Sequence, residues 1–284
     1  MINSGILRLL IENCVFNGCK STADQAGAVY CAASNAEVVF SKVCGYGCYT
    51  PAAQYRQFGI ISNNNFKTIS CYLLSISHCS PFTENGNDVI VLNYGKQYAS
   101  NVNSSNNNVL THSGFFFSNP SEMDAKFINL INNKVKHTCL RFRNGHHNRV
   151  FYLSNVIGNN SPSSYAVLVS NYGEFFFEKN IFLNNQNTLF MIETGTLIFY
   201  KCWISHTGTL LTGDTISFLD TSSQTNTHII KMYASNSCLA ISPFGFIDSH
   251  PYQEITSCPI NSCHIIMHQP RIALLLSFTG LLYL

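Results

Sequence analysis

From Asn129 to His206 the apolar residues come in short alternating runs, each closed by Asn, Gly or Cys. Val150-Phe-Tyr152 leads into Asn155-Val-Ile-Gly-Asn-Asn160, and Phe175-Phe-Phe177 leads into Asn180-Ile-Phe-Leu-Asn-Asn185, an alignment at a spacing of 25. Asn129-Leu-Ile-Asn-Asn133 opens in the same way at a spacing of 26. Downstream, Gly195-Thr-Leu-Ile-Phe-Tyr-Lys-Cys-Trp-Ile204 matches Gly173-Glu-Phe-Phe-Phe-Glu-Lys-Asn-Ile-Phe182 at 22, with Cys202 in the place of Asn180. Near the start, Ile11-Glu-Asn-Cys-Val-Phe-Asn-Gly-Cys19 and Phe40-Ser-Lys-Val-Cys-Gly-Tyr-Gly-Cys48 form an analogous pair 29 apart, and Cys71 to Cys79 continues the series. Alternation with a period of two reads as strands. A unit this short cannot bury its own apolar face, so repeats of roughly 20–30 residues that lack a helical pattern predict strands stacked in parallel from turn to turn. The L-x-x-L-x-L register of leucine-rich repeats is absent. The expected fold is all-β, a parallel β-helix (β-solenoid) of about ten rungs at a period of 22–29, occupying residues 1–260.

Composition sharpens this picture. Only 11% of the 284 residues are charged, against 46% apolar, less than half the usual charged share. The 32 Asn and 31 Ser must therefore cover the solvent-facing surface. Scarce Ala, Glu, Lys and Arg argue against helices, while 21 Phe and 14 Tyr argue against disorder. A net charge of +2 without a basic run leaves no footprint for nucleic acid.

The recurrent Asn has two uses at a tight turn between stacked strands. It tolerates a left-handed backbone, and its amide can bond the equivalent amide one rung away. The twelve cysteines contain no C-x-x-C pair. Eight fall in short-range pairs, Cys14/Cys19, Cys44/Cys48, Cys71/Cys79 and Cys258/Cys263. In a solenoid Cys19, Cys44 or Cys48, and Cys71 become neighbours from rung to rung. The favoured reading is inward packing of small, partly apolar side chains, with disulfides open to an extracellular chain.

Candidate chemistry is sparse. Glycoside hydrolysis needs two facing carboxylates, but in the repeat frame Glu174 falls opposite Thr196 and Glu178 opposite Tyr200. The six Asp are Asp24, Asp88, Asp124, Asp214, Asp220 and Asp248. The close pair Asp214/Asp220 reads as turn residues flanking a strand. Arg141/Arg143 have no acidic cluster nearby for lyase chemistry. His146-His147 reads as a surface loop. Cys258, Cys263, His264 and His268 form the best metal-like cluster but lack zinc-finger spacing. G-x-S-x-G, G-x-G-x-x-G and P-loop motifs are absent. Two sequons, Asn103-Ser-Ser105 and Asn159-Asn-Ser161, offer glycosylation to a secreted chain. No residue is assigned as catalytic, cofactor-binding or metal-ligating, and the chain is expected to be non-enzymatic.

At the start, Arg8 interrupts the apolar run that a secretory signal needs, so the chain reads as beginning inside a repeat. At the other end Ile272–Leu284 is uncharged and follows a short linker, 261–271. This segment falls short of the about 20 residues that span a bilayer. A shortened membrane helix, the tail of a GPI signal and a final buried strand remain open readings.

Cys14-Val-Phe-Asn-Gly-Cys19 followed by Ala26-Gly-Ala-Val-Tyr30 resembles the pairing of an F-x-x-[NC] turn with a G-G-A-I-Y segment in polymorphic-membrane-protein-like surface proteins of chlamydiae and trichomonads. Gly95-Lys-Gln-Tyr-Ala-Ser-Asn-Val-Asn-Ser-Ser-Asn-Asn-Asn-Val109, with Ser113-Gly-Phe-Phe116, is also similar to the trichomonad members. The likeness is diffuse over roughly residues 5 to 260, and Ala26 stands where the family has its first Gly. It implies a right-handed parallel β-helix at the cell surface, usually on a C-terminal membrane helix, with no catalytic residues to carry over. The expected role is structural or adhesive, through polar loops such as Ser100 to His112, with host or cell-surface proteins or glycans as partners and Ile272–Leu284 as the membrane contact. The alternative is a carbohydrate-binding or polysaccharide-degrading β-helix.

Overall fold

The computed structural model describes residues 8–21, 26–32, 35–50, 56–63, 67–79, 87–109, 113–161, 166–206 and 211–223, with further strands at 263–268 and 273–278. The secondary structure of the described residues is entirely strand and turn. Strands stack in parallel register as a β-solenoid whose cross-section has three strips.

In the first strip Arg8–Glu12 pairs with the start of Glu37–Tyr46, which pairs with Thr68–Ser77, then Lys96–Ser105 and Glu122–Ile131. The same strip continues through the ends of the long strands Thr138–Tyr152, Ala166–Glu178, Thr188–Tyr200 and Leu211–Leu219. The second strip stacks Val15–Asn17, the ends of the 37, 68, 96 and 122 strands, Asn155–Ile157, Ile181–Asn185 and Trp203–His206. The third runs from Val29–Ala32 through Gly59–Ser62, Ile90–Asn93 and Ser113–Ser118 into the first halves of the long strands.

Register gives the length of each turn directly. Leu9, Val38, Ile69, Gln97, Met123, Arg149, Phe175, Leu197 and Ile216 occupy one column, so the chain advances by 29, 31 and 28, then three times by 26, and finally by 22 and 19. Among the described residues the rungs are somewhat fewer than the about ten expected. One early turn is longer than the 22–29 anticipated and the last is shorter, and the chain's final strands do not extend the stack. Cys263–His268 and Ala273–Phe278 form an antiparallel hairpin, and Cys263–His268 also runs antiparallel to Arg8–Glu12. The hairpin thus covers the edge of the first rung, which would otherwise template further strand pairing. Among the described residues no helix is long and apolar enough to cross a membrane.

Two corners are set by left-handed residues repeated rung after rung. Asn13, Lys42, Leu73, Asn101, Phe127, Leu153, Lys179, Lys201 and Asp220 all have φ between 49° and 55° at the first corner. At the second, Gly18, Gly47, His78, Asn106, Asn132, Gly158 and Asn184 have φ between 52° and 65°. At the second corner the residue after the left-handed position forms the ladder from Cys79 to Asn185. Cys79 N–H donates to Oδ1 of Asn107, Asn107 N–H to Asn133, Asn133 N–H to Asn159 and Asn159 N–H to Asn185, at 2.9 to 3.0 Å. The turn and the ladder are thus served by consecutive residues, whereas the sequence reading gives both tasks to one Asn.

This division also corrects one alignment. Asn155 opposes Ile181, and Ser154 N–H donates to Oδ1 of Asn180. The true spacing there is 26, not 25; a one-residue slip would turn every inward side chain outward. The spacing of 22 between Gly173 and Gly195 is correct, since Glu174 opposes Thr196 and Glu178 opposes Tyr200. Cys202 does take the place of Asn180, whose Nδ2 reaches its sulfur at 4.0 Å.

The core lies on the axis. Its C-terminal half is a column of rings, with Phe117 stacked on Phe142 at 5.5 Å, Phe177 on Phe199 at 4.8 Å and Phe199 on Phe218 at 5.4 Å. Arg149, like Gln97 two rungs before it in the same inward column, departs from this, and is 1% exposed between Met123 and Phe175. Its guanidinium donates to the Pro120 carbonyl at 2.6 Å, and burial lowers its pKa.

Candidate functional site

The residues singled out from sequence scatter over the solenoid. Arg141 lies over the ring of Phe116 at 4.9 Å and donates to Oδ1 of Asn171, on the third strip, while Arg143 is exposed two residues on. His146-His147 belong to the extended strand Thr138–Tyr152, at an irregularity between Gly145 and Arg149, not to a free loop. Asp220 is a left-handed corner residue, and Asp214 lies on the strand Leu211–Leu219. Cys263, His264 and His268 lie on one strand. Cys258, Asp24 and Asp248 fall outside the described residues.

Ser100 to Ser105 is strand rather than loop, and Asn103, Ser104, Ser105 and Asn107 are buried. That stretch is polar because it supplies ladders, not because it meets solvent. Both sequon asparagines are fully buried. Asn103 Nδ2 donates to the Ser75 and Ser105 hydroxyls, and Asn159 Nδ2 donates to Leu130 O at 2.7 Å. A glycan on either is incompatible with this fold.

The cysteines of a short-range pair occupy different columns. Cys19, Cys48 and Cys79 stack on one another from rung to rung in the column that Asn107, Asn133, Asn159 and Asn185 continue. Cys48 exchanges hydrogen bonds with both neighbours, and its pKa lies well above the ordinary thiol value. Cys71 sits elsewhere, between Phe40 and Ala99, where burial pushes its thiol up to about 12. Cys14 and Cys44 are disulfide-bonded. Among the described residues no group of three His, Cys, Asp or Glu is placed to hold a metal ion.

A different feature emerges on the outer face of the first strip. Side chains alternate along a strand, so inward Met123 and Ala125 leave Glu122, Asp124 and Lys126 pointing out. The same logic brings two outward columns together over successive rungs. One holds Tyr98, Asp124, Val150 and Phe176; the other holds Tyr72, Lys126, Tyr152 and Tyr200. Tyr72 is 41% exposed, and Tyr98, Tyr152, Phe176 and Tyr200 are half-buried. Aromatic side chains thus occupy the rungs on either side of a central charged one.

Hydrogen bonds fix that central rung. Tyr98 donates its hydroxyl to Oε1 of Glu122 at 2.7 Å, and Lys96 Nζ lies 2.8 Å from Oε2. Lys96, then Tyr98, hold the Glu122 carboxyl below its ordinary value, and the same contact pushes the Tyr98 phenol up to about 12. Lys126 Nζ sits 5.7 Å from the centre of the Tyr152 ring, and its contact with Tyr152 raises its pKa. Oδ1 of Asp124 is shielded from solvent and has no hydrogen-bond partner.

Sequence reasoning missed this face because each of its rings, Tyr72, Tyr98, Tyr152, Phe176 and Tyr200, comes from a different turn of the chain. The available signal was Glu122-Met-Asp-Ala-Lys126, whose alternation sends three charged residues to one side.

Fold and face together define a parallel β-solenoid with an aromatic-lined long side. Comparison with family models, curated proteins and solved structures finds no match for this chain.

Proposed function

We propose that this chain is a non-enzymatic cell-surface protein, a structural or adhesive solenoid whose contact surface is the outer face of the first strip. The observation that carries the reading is the file of solvent-facing rings from Tyr72 to Tyr200 on a rigid scaffold. Exposed aromatics on a soluble face need a reason, since they cost solubility and are enriched where partners bind. The stack is suited to such a role, because each rung fixes its neighbours and holds the rings at a constant pitch.

The chemistry of the central rung supports binding over catalysis. Glu122 is held ionised by Lys96 and Tyr98, the opposite of the raised carboxyl a general acid requires. The polar loop first expected to meet partners, Ser100 to His112, gives way in this reading to the strip face.

Surface biotinylation of intact cells expressing the full chain tests the proposal. Labelled protein in the membrane-impermeant fraction is expected; labelling only after lysis would overturn the cell-surface assignment.

A further inference from the structure

Resting on the contact reading above, we propose that the ligand of the first-strip face is a neutral hexose chain, lying along the solenoid axis. Three features of the face select this chemistry.

The first is pitch. Adjacent rungs are about 4.8 Å apart, close to the advance of one sugar in an extended chain. Tyr152, Phe176 and Tyr200 fall on three consecutive rungs, alternating between the two outward columns. Successive sugars of an extended chain present alternate faces, so such a zigzag of rings offers each one an apolar platform.

The second is the unpaired acceptor. A shielded carboxylate oxygen without a donor is costly, and Oδ1 of Asp124 is in that position among Tyr98, Val150 and Lys126. A sugar hydroxyl that reaches Oδ1 by displacing the half-buried Lys126 side chain is the donor it lacks, and the displaced ammonium supplies a donor for a second hydroxyl. Recognition by rings plus a few fixed polar groups is the usual make-up of a small-molecule site.

The third is charge. Glu122 is paired with Lys96, Asp124 shares its rung with Lys126 and Glu178 is paired with Lys179, so the face carries no excess of positive charge to hold a polyanion such as a nucleic acid or an acidic polysaccharide. The same charges interrupt the apolar surface and disfavour a lipid bilayer, which requires a continuous apolar area.

Isothermal titration of the full chain with cellohexaose and with maltohexaose tests the inference, with hexagalacturonate as the anionic counter-probe. Cellohexaose, the extended chain whose sugars alternate faces, is expected to bind, and more tightly than the coiled maltohexaose. Tyr152→Ala, Phe176→Ala and Asp124→Asn should each weaken it about tenfold with an unchanged far-UV circular dichroism spectrum. Asp124→Asn alters one atom and preserves shape, so it remains informative should a ring variant misfold. The inference is overturned if cellohexaose does not bind at millimolar concentration, if only maltohexaose or only hexagalacturonate binds, or if cellohexaose binding is indifferent to all three substitutions. Cell adhesion that depends on the face without any hexaose binding would remove the hexose ligand and leave the contact reading intact.

Discussion

The backbone N–H of Asn133 donates to the side-chain oxygen of Asn159, one turn further along the axis, at 3.0 Å. Asn159 returns nothing to solvent: its amide nitrogen donates to Leu130 O and to Oδ1 of Asn185. One residue thereby satisfies backbone groups of a neighbouring rung that strand pairing leaves open at the corner. Asn159→Leu keeps the branched outline of the side chain and strands two buried backbone groups, at a cost of about 3 kcal/mol. Asn159→Cys should cost less, because cysteine fills the same column at Cys19, Cys48 and Cys79. Urea denaturation of the two variants checks the order; equal stabilities would contradict the ladder.

Corner conformation makes a second prediction with opposite signs at two sites. Lys179 is exposed and left-handed at φ 52°, a conformation that costs a non-glycine residue about 1 kcal/mol. Lys179→Asn should recover roughly that amount, its exposed contact with Glu178 contributing little. Gly195 has φ 122°, and a Cβ there would collide with the Gly173 carbonyl oxygen. Gly195→Ala should lose about 3 kcal/mol or more. Thermal unfolding reports both, and a Gly195→Ala protein as stable as the parent would refute the close approach of Gly195 to Gly173.

Burial of both sequons bears on delivery through a secretory route. The folded, monomeric fraction recovered from a eukaryotic host should carry no glycan at Asn103 or Asn159. Endoglycosidase treatment followed by electrophoresis should leave its mobility unchanged. A compact, protease-resistant product glycosylated at Asn159 would contradict the inward ladder.

Buried thiols give the solenoid an alkaline limit. An unfolded cysteine ionises near 9.0, whereas Cys71 keeps its proton to about 12 and Cys202 to about 11. Above pH 9 the unfolded chain therefore binds fewer protons than the folded one, and stability falls as pH rises. Each such thiol contributes a slope of about 1.4 kcal/mol per pH unit up to its folded value. Below pH 9 the effect is absent. Cys71→Ala should flatten the decline between pH 9 and 11 relative to the parent, as read from urea midpoints. Parallel curves for the two proteins would show that Cys71 ionises freely in the fold.

How much of this was legible in the sequence depends on what was local. The parallel stack, the spacing of 22 at Gly173/Gly195 and the Cys202-for-Asn180 exchange follow from patterns within one or two repeats. The doublets Asn106-Asn107, Asn132-Asn133 and Asn184-Asn185 were harder. Their two residues do different work with the same side chain, and identity alone does not say which one turns and which one ladders. Gly158-Asn159, Gly47-Cys48 and His78-Cys79 resolve that ambiguity once they are placed in the same column. The polar run Ser100 to Ser105 misled because buried ladders and solvated loops use the same residues. The aromatic face was out of reach, since Tyr98, Tyr152, Phe176 and Tyr200 come to share one face only once the length of every turn between them is known.

The central claim is that the first-strip face makes the chain's contacts. The most direct measurement compares beads coated with the full chain and beads coated with its Tyr98→Ser/Tyr152→Ser/Tyr200→Ser variant, scored for retention on cultured cells under flow. The variant retains the inward columns and should keep the parent's circular dichroism spectrum. Parent-coated beads are expected to be retained, with about tenfold fewer variant-coated beads holding on. Equal retention of the two would contradict the account.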